Sequence, residues 1–226
     1  MTIDRALGLL LAWTSPSYPV GAFSYSHGLE AAVEDGSVRD AATAAAYVEA
    51  VIAHGGGWVD AVLFAAAFRA AADEPALDAV AELAVAFRGS SETALESRQM
   101  GRSFLAVTRA AWPHPVLDAF AARHSGRPVA HAVAGALACA AHGVPLRPAL
   151  AAWLHGTAAN LVSAAVRLIP LGQTDGQIAT ARLLPVIERA AAAALAADPD
   201  DLGTSAMLVE IASLAHETLY TRLFRS

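Results

Sequence analysis

The amino-acid sequence predicts an all-α protein, a single-domain helical bundle of about ten helices with no significant β-sheet. Two observations support this fold class. Alanine is abundant in a chain in which 56% of the 226 residues are hydrophobic, and alanine is the strongest helix former. The alternation of apolar and polar residues that is typical of half-buried strands is missing. Because no internal repeat or long linker divides the chain, residues 1–226 are predicted to form one domain.

Six helices are predicted in the first half of the chain, and residues that favour turns separate them. Such residues occur in the stretches SPSYPVG, EDGS, HGGG, DEP and WPHP, where glycine and proline interrupt regular structure. The predicted helices span residues 4–12, 24–34, 40–53, 59–71, 76–87 and 91–110.

Five further helices are predicted in the second half, at 115–123, 129–142, 147–167, 176–197 and 205–224. Thr174 and Gln177 have the spacing of a capping box at the start of the fourth of these. Arg167 falls in a last helical turn, where a cation suits the helix dipole. In the final segment the apolar residues gather on one stripe, as in an amphipathic helix: Met207, Leu208, Ile211, Leu214 and Leu219.

The charge and composition exclude several function classes. The formal net charge is −6, whereas nucleic-acid binders usually carry a basic stripe, so no nucleic-acid partner is expected. All basic residues other than histidine are arginines. A phosphate-binding loop of the Walker type and a Schiff base both need a lysine, so this chain can form neither alone. No cofactor is predicted.

Cysteine usage and the start of the chain point to the cytoplasm. Cys139 is the only cysteine and lies among alanines, which is typical of an inert buried thiol. Asp4 and Arg5 interrupt the first apolar run, so no secretory signal is expected there. The segments 128–146 and 148–166 contain no charged residue apart from their histidines. Each is long enough to cross a bilayer, but alanine, glycine, histidine and asparagine dilute both, so we expect core or partner-covered helices rather than a membrane hairpin.

Two short motifs resemble catalytic sequences without their required context. HGGGW at 54–58 looks like a lipase oxyanion loop, but the Gly-x-Ser-x-Gly elbow is missing, so a helix end at the glycines is expected. HETLY at 216–220 begins like a zinc-binding helix, but Tyr220 stands where the second histidine belongs. His124, His131 and His142 lie too far apart along a helix to share one metal ion. A small helical metal-dependent enzyme that uses its histidines remains the alternative function.

Arg98, Arg102 and Arg109 fall near one face of the predicted helix 91–110, with Glu92 and Glu96 one turn earlier. A solvated polar face is the ordinary meaning of this pattern, since exposed charges are common on helices. A contact face for an acidic partner is the other interpretation.

Four blocks resemble the urease accessory protein F family, UreF. They are SPSYPVGAFSYSHGLE at 15–30, ESRQMGRSF at 96–104, VRLIPLGQTDGQ at 166–177 and HETLYTRLFRS at 216–226. Their order and spacing fit the family along nearly the full length. The first and last blocks are the most specific.

The resemblance implies a non-catalytic, all-helical protein that forms a homodimer. It further implies that the dimer binds the accessory protein UreD, also called UreH, and that this complex recruits the GTPase UreG. The assembly would deliver nickel to apo-urease. An activating or gating role toward the GTPase is also implied for the family, and an arginine could reach the partner's nucleotide site as an arginine finger does.

The resemblance implies that the first block and the C-terminal tail are partner-docking elements. Pro16, Pro19 and Gly21 shape a turn. On a helix, Phe23 and Tyr25 would point to different sides, so that one could anchor inward and the other face a partner. The alternative is that both aromatics pack in the core. Bulky residues at the chain end also suggest docking, either on UreD or on the protein's own bundle.

The predicted partner-binding residues are those of the blocks, including two arginines and two glutamines of the middle blocks: Tyr18, Phe23, Tyr25, His27, Glu30, Arg98, Arg102, Gln173, Gln177, His216, Tyr220, Arg222, Leu223, Phe224, Arg225 and Ser226.

Overall fold

The structure is a computed structural model that describes the backbone of residues 3–226 and the side chains of residues 5–226. The described part of the chain contains helices and no strand, which confirms the all-α prediction. Eleven α-helices follow one another: α1 Ile3–Trp13, α2 Leu29–Glu34, α3 Ala41–His54, α4 Gly56–Arg69, α5 Glu74–Ala86, α6 Ser91–Ala111, α7 Pro115–Arg123, α8 His131–Ala141, α9 Leu146–Leu168, α10 Gln173–Ala196 and α11 Met207–His216.

The core is built around α4 and α8, which pack against each other. Helix α4 also packs against α3, α9 and α10, while α8 packs against α6. Every side chain from Ala132 to Cys139 on α8 is buried. Helices this apolar on all sides belong in a protein interior.

Glycine permits the closest helix contacts of this core. A Cβ at Gly101 of α6 would lie 2.1 Å from the carbonyl oxygen of Val129, just before α8. A Cβ at Gly135 of α8 would lie 2.3 Å from the ring of Trp153 on α9. The bare backbone at these positions therefore sets how close α6 and α9 lie to α8, and α6 carries part of the site described below.

Two helical stretches are long and apolar enough to cross a membrane by length and composition alone, Ala41–Ala72 and Leu146–Leu168. Within the most apolar windows, 67% of the first and 50% of the second is buried inside the protein. The first stretch is α3 and α4, which meet at Gly55, together with the short 3₁₀ turn Ala70–Ala72. The glycines of HGGG thus form a junction between two helices, with α3 ending at His54 as expected.

Several predicted helix boundaries are wrong, and a local contact explains one of them. Helix α10 begins at Gln173 rather than 176, so Thr174 lies inside its first turn. The cap is formed instead by Asp175, whose carboxylate accepts the Gly172 N–H at 2.9 Å. The last helix was predicted to continue to residue 224, but α11 ends at His216, and the residues that follow are not helical.

Candidate functional site

The first block forms a bent segment rather than the start of a helix. Helix α2 begins only at Leu29, because His27 (φ 57°) and Gly28 (φ 79°) both adopt the left-handed conformation, which a helix cannot continue. A glycine is required at position 28, since a Cβ there would lie 2.6 Å from the backbone nitrogen of Ser213 on α11. The segment 15–28 is called the N-terminal turn below.

The aromatic residues of this turn face opposite ways although no helix carries both. Phe23 lies in the short 3₁₀ turn Ala22–Ser24 and is 65% exposed, whereas Tyr25 is 3% exposed. The Tyr25 hydroxyl donates a hydrogen bond to Oε1 of Gln99 on α6. Tyr18 is also buried, with its hydroxyl 2.7 Å from the Thr108 hydroxyl. The turn is therefore tied to α6 at two points.

A cluster of charged side chains, centred on the buried His216, joins α2, α6 and α11. His216, which is fully buried, lies between two carboxylates: its Nδ1 is 2.6 Å from Glu92 and its Nε2 is 3.1 Å from Glu30. Arg222 donates to the other oxygen of Glu92 at 2.5 Å. We call Glu30, Glu92, His216 and Arg222 the charged cluster. Its members come from three of the chain's helices and the tail, so it fixes their relative positions.

The tail, residues 217–226, is held mainly through its backbone. The two oxygens of Glu30 accept the N–H groups of Leu223 at 2.7 Å and Phe224 at 2.9 Å. The Ser226 carbonyl accepts the Ser26 N–H at 2.8 Å. A carboxylate that accepts several N–H groups forms strong, charge-assisted hydrogen bonds. The end of the chain therefore lies along the N-terminal turn.

Arg167 of α9 stacks between an aromatic ring of the turn and one of the tail. Its guanidinium carbon is 3.6 Å from the centroid of the Phe23 ring and 4.4 Å from that of Phe224. It also donates to the Phe23 carbonyl at 2.9 Å. Burial lowers the pKa of this guanidinium below its usual value. The cation holds the two aromatic side chains on one surface.

A second histidine links the turn to α6. The Nδ1 of His27 lies 3.6 Å from a carboxylate oxygen of Glu96, and Glu96 accepts the Ser226 hydroxyl at 2.8 Å. Burial opposes a charge on His27, but the hydrogen bond and the charge of Glu96 together outweigh it, so the pKa of His27 is raised. The turn, the tail and α6 thus meet at one carboxylate.

Apolar side chains remain uncovered beside the tail. The predicted stripe of α11 exists, but four of its five members face solvent, with exposures between 51% and 80%: Met207, Leu208, Ile211 and Leu214. The buried face of α11 consists of smaller or polar side chains such as Val209, Ala212 and Ser213. Tyr220 and Leu223 extend the exposed apolar surface into the tail.

The predicted partner-binding residues divide into an accessible set and an inner set. The accessible residues are Phe23, Arg98, Arg102, Gln173, Gln177, Tyr220, Arg222, Leu223 and Arg225. The buried or half-buried residues are Tyr18, Tyr25, His27, Glu30, His216, Phe224 and Ser226. The inner residues hold the turn and the tail in place, and the accessible ones lie on the surface.

The structure brings residues from all four sequence blocks together, but some residues of these blocks lie away from the N-terminal turn and the tail. Gln173 and Gln177 lie exposed in the first turns of α10, and neither side chain forms a hydrogen bond with the described part of the chain. Arg98 donates to the Ala94 carbonyl of its own helix at 2.8 Å, and Arg109 pairs with Asp118 at 2.7 Å. Only Arg102 of this arginine series lies beside the turn and the tail.

The sequence does not indicate several of these contacts. Arg167 lies in the last turn of α9, as predicted, and it also stacks between Phe23 and Phe224. Glu92 and Glu96 of the predicted polar face contact buried partners. The blocks contain an arginine and several aromatic residues, but the sequence does not show which of them meet.

The histidines do not assemble a metal site in the part of the chain that the structure describes, where no group of three or more His, Cys, Asp or Glu residues could hold an ion. The three histidines of the middle region each lie beside a different aromatic ring: His124 beside Phe120, His131 beside Trp153 and His142 beside Trp13.

Comparison with known proteins identifies similar chains. Residues 38–184 match the family model UreF. The chain is 51% identical, over 100% of its length and 96% of the relative's, to a protein named urease accessory protein UreF in Granulibacter bethesdensis. Proteins of the same name in Bradyrhizobium diazoefficiens and Xanthobacter autotrophicus are 47% and 51% identical, over 98% and 96% of this chain and 92% and 90% of theirs.

Proposed function

The chain belongs to the UreF family of urease accessory proteins, and we propose that it acts as an adaptor that assembles the nickel-delivery complex of urease. Proteins of this family are non-catalytic and take part in urease maturation, which sets aside the metal-dependent enzyme. In the proposed role the chain forms a homodimer in the cytoplasm, binds UreD (UreH) and recruits the GTPase UreG. Nickel for apo-urease is the cargo of that assembly.

One observation carries this proposal: the N-terminal turn, α6, α9 and the tail meet at a single surface. Tyr25 with Gln99, Ser226 with Glu96, and Arg167 with Phe23 and Phe224 join the four sequence blocks. A protein that works through contacts needs rigid anchors that present accessible side chains. The inner residues supply the anchors, and Phe23, Tyr220 and Leu223 supply accessible apolar area.

UreD is the proposed occupant of the exposed face of α11 and the adjoining tail. Leu214 on the last turn of α11 is followed along the chain by Tyr220 and Leu223, which are exposed in the tail. Six large exposed apolar side chains within residues 207–223 are unusual on a surface that remains in water. Arg222 and Arg225 flank Leu223, which suits an interface with an apolar centre and a charged rim.

The composition supports self-association as well. Most core helices present alanine to one another, and alanine permits close packing but buries little apolar area per residue. A dimer would bury further apolar surface and so add to the hydrophobic stabilisation that the alanine-rich core provides. UreG binding, and an activating or gating effect on its GTPase, are proposed for the assembled complex, with no arginine assigned to the nucleotide site.

The experiment that tests this role measures co-purification with UreD. Deletion of residues 221–226 should abolish co-purification while the helical circular-dichroism signal persists, because the deleted residues are not helical. A subtler variant, Leu223→Ser, leaves the Glu30 hydrogen bonds intact, since these use the backbone N–H. It should weaken UreD binding without changing stability.

Leu11→Ser on α1 is the matched control, because Leu11 and Leu223 are each 65% exposed. This control should bind UreD as the wild type does. Equal binding by Leu223→Ser and the wild type would contradict the assignment of the tail. A wild-type chain that captures neither UreD nor, through it, UreG would contradict the adaptor role itself.

A further inference from the structure

An open groove lies between the N-terminal turn, α6 and the tail, and donor groups line it. Its polar lining consists of Ser24, Tyr25, Gln99, Arg102, Ser103 and Arg225. None of its described lining residues is acidic. Pro19, Val20 and Gly21 of the turn complete one wall. Two guanidinium groups therefore face a groove whose own lining offers no carboxylate to neutralise them.

The charges in the groove are not neutralised from nearby elements either. Arg102 and Arg225 are exposed, and neither has an ion-pair partner among the described residues. Arg225 contacts the Tyr25 hydroxyl, which in turn donates to Gln99. Glu96, an acidic residue of the same helix as Arg102, is engaged by the Ser226 hydroxyl at 2.8 Å and by His27 at 3.6 Å. Glu92 is likewise occupied by His216 and Arg222.

The position of Arg225 is fixed by its backbone and not by its charge. Its N–H donates to the Ser24 carbonyl at 2.8 Å, and its neighbour Phe224 is buried against Arg167. Arg102 projects from the middle of α6, a 21-residue helix. Arg102 is thus presented by a long helix, and the backbone of Arg225 is hydrogen-bonded to the N-terminal turn, which lowers the entropic cost of binding.

The geometry points to a carboxylate-binding groove in which Arg102 and Arg225 together hold an Asp or Glu side chain of the protein that docks against the tail. Arginine forms paired N–H···O bonds with carboxylates, and two arginines that line one groove can together donate to both oxygens of one such group. This inference rests on the proposed function, under which the docking protein is UreD. It adds the chemistry of the contact: an acidic residue of UreD must lie at the rim of the apolar interface.

The test compares UreD affinity for four chains: the wild type, Arg102→Gln, Arg225→Gln and Arg182→Gln. Arg182 is the control, because it is an exposed arginine of α10 that is neither part of the groove lining nor one of the predicted partner-binding residues. Each groove variant should bind UreD roughly tenfold more weakly, the value typical of one lost charged hydrogen-bond pair. Arg182→Gln should bind UreD within about twofold of the wild type, as expected for a change of one exposed charge.

Two additional measurements make the outcome decisive. Arg102→Lys retains the charge without the paired geometry and should lie between the wild type and Arg102→Gln. The salt dependence of UreD binding should be shallower for the groove variants, since they form fewer charged contacts. Groove variants that bind like Arg182→Gln would overturn the inference and leave the adaptor role standing, whereas a wild type that does not bind UreD would overturn both. Displacement of UreD by millimolar inorganic phosphate would assign the groove to a free anion, and this result would also overturn the inference.

Discussion

Glu30 is the residue on which the position of the tail depends most directly. Its carboxylate accepts N–H groups from Leu223 and Phe224 and lies 3.1 Å from His216, all within a buried setting. In Glu30→Gln one oxygen is replaced by an NH₂ group, which faces donors and cannot accept from them. We expect the free energy of unfolding to fall by about 3 kcal/mol, as for the loss of hydrogen bonds to a buried charge.

Urea unfolding followed by circular dichroism measures this loss. Glu34→Gln changes an exposed glutamate on the same helix and should alter stability by no more than about 0.5 kcal/mol. Similar midpoints for the two variants would show that Glu30 does not fix the tail.

His131 makes the stability of the protein sensitive to acid. Burial lowers its pKa from the ordinary value near 6.5 to about 4, against the opposing charges of Asp60 and Glu96. Between those values the unfolded chain binds a proton that the folded chain does not. The contribution of neutral His131 to the free energy of unfolding is therefore fully present above about pH 6.5 and is lost as the pH falls toward the pKa of the folded protein.

The contribution of His131 should amount to about 2 kcal/mol between pH 7.5 and pH 5, the product of roughly 1.5 pH units and 1.36 kcal/mol per unit. Its ring packs 4.3 Å from that of Trp153, so His131→Phe keeps an aromatic contact while removing the titration. The difference between the unfolding free energies at about pH 7.5 and about pH 5 should be smaller in this variant than in the wild type. Equal acid sensitivity of the two proteins would contradict the prediction.

At the scale of helices, the packing of α6 against α8 depends on Gly101. A methyl group there would approach the backbone of Val129, Ala130 and His131 to between 2.1 and 2.8 Å, and backbone cannot move aside as a flexible side chain does. Gly101→Ala should therefore destabilise the protein by about 3 kcal/mol, the upper range for overpacking. Because α6 carries Glu92, Glu96 and Gln99, its displacement should also weaken UreD binding.

Gly8→Ala provides the control for this substitution. Gly8 lies within α1, and nothing lies within 4 Å of the position its Cβ would occupy. The change should stabilise the chain by about 0.5–1 kcal/mol, because alanine is the better helix former. Thermal unfolding of the two variants should shift in opposite directions, and a common direction would contradict the packing argument.

Helix boundaries were predictable where the signals are local. The sequence places one helix at 91–110 and another at 115–123, and the structure has Ser91–Ala111 and Pro115–Arg123. Ser90 caps the first through Thr93, three residues on, and Pro115 begins the second. Such residues act on their own neighbours, so a sequence contains the information needed to find them.

The end of α11 was not predictable, because the residue that decides it is remote in sequence. Residues 217–224 continue an apolar pattern, yet the N–H groups of Leu223 and Phe224 bind Glu30, which lies 193 and 194 positions away. The same holds for the site. The blocks identified many of its members, but only the fold brings Arg167 between Phe23 and Phe224. Tertiary contacts override local propensity at both places.

For the whole molecule, these contacts imply that local stability differs between regions. It is high in the core around α8 and lower in α11 and the tail, which together form the proposed docking face. Helix α8 is buried along its length and packs against α4 and α6. Helix α11 packs mainly on α2 and leaves four large apolar side chains in solvent. Elements with few buried apolar contacts open locally at less than the cost of global unfolding.

Hydrogen exchange should resolve this gradient in the unbound chain. Amides of Ala132–Cys139 should exchange only through global unfolding, and those of Leu223 and Phe224 on the order of 100-fold faster through local opening. Glu30→Gln should accelerate the tail amides more than those of α8, because it removes their acceptor. Binding of UreD should slow the tail and α11 selectively, since only the docking face gains contacts. Uniform protection across α8, α11 and the tail would show instead that the docking face is as rigid as the core, and that the exposed stripe of α11 needs no partner to hold it.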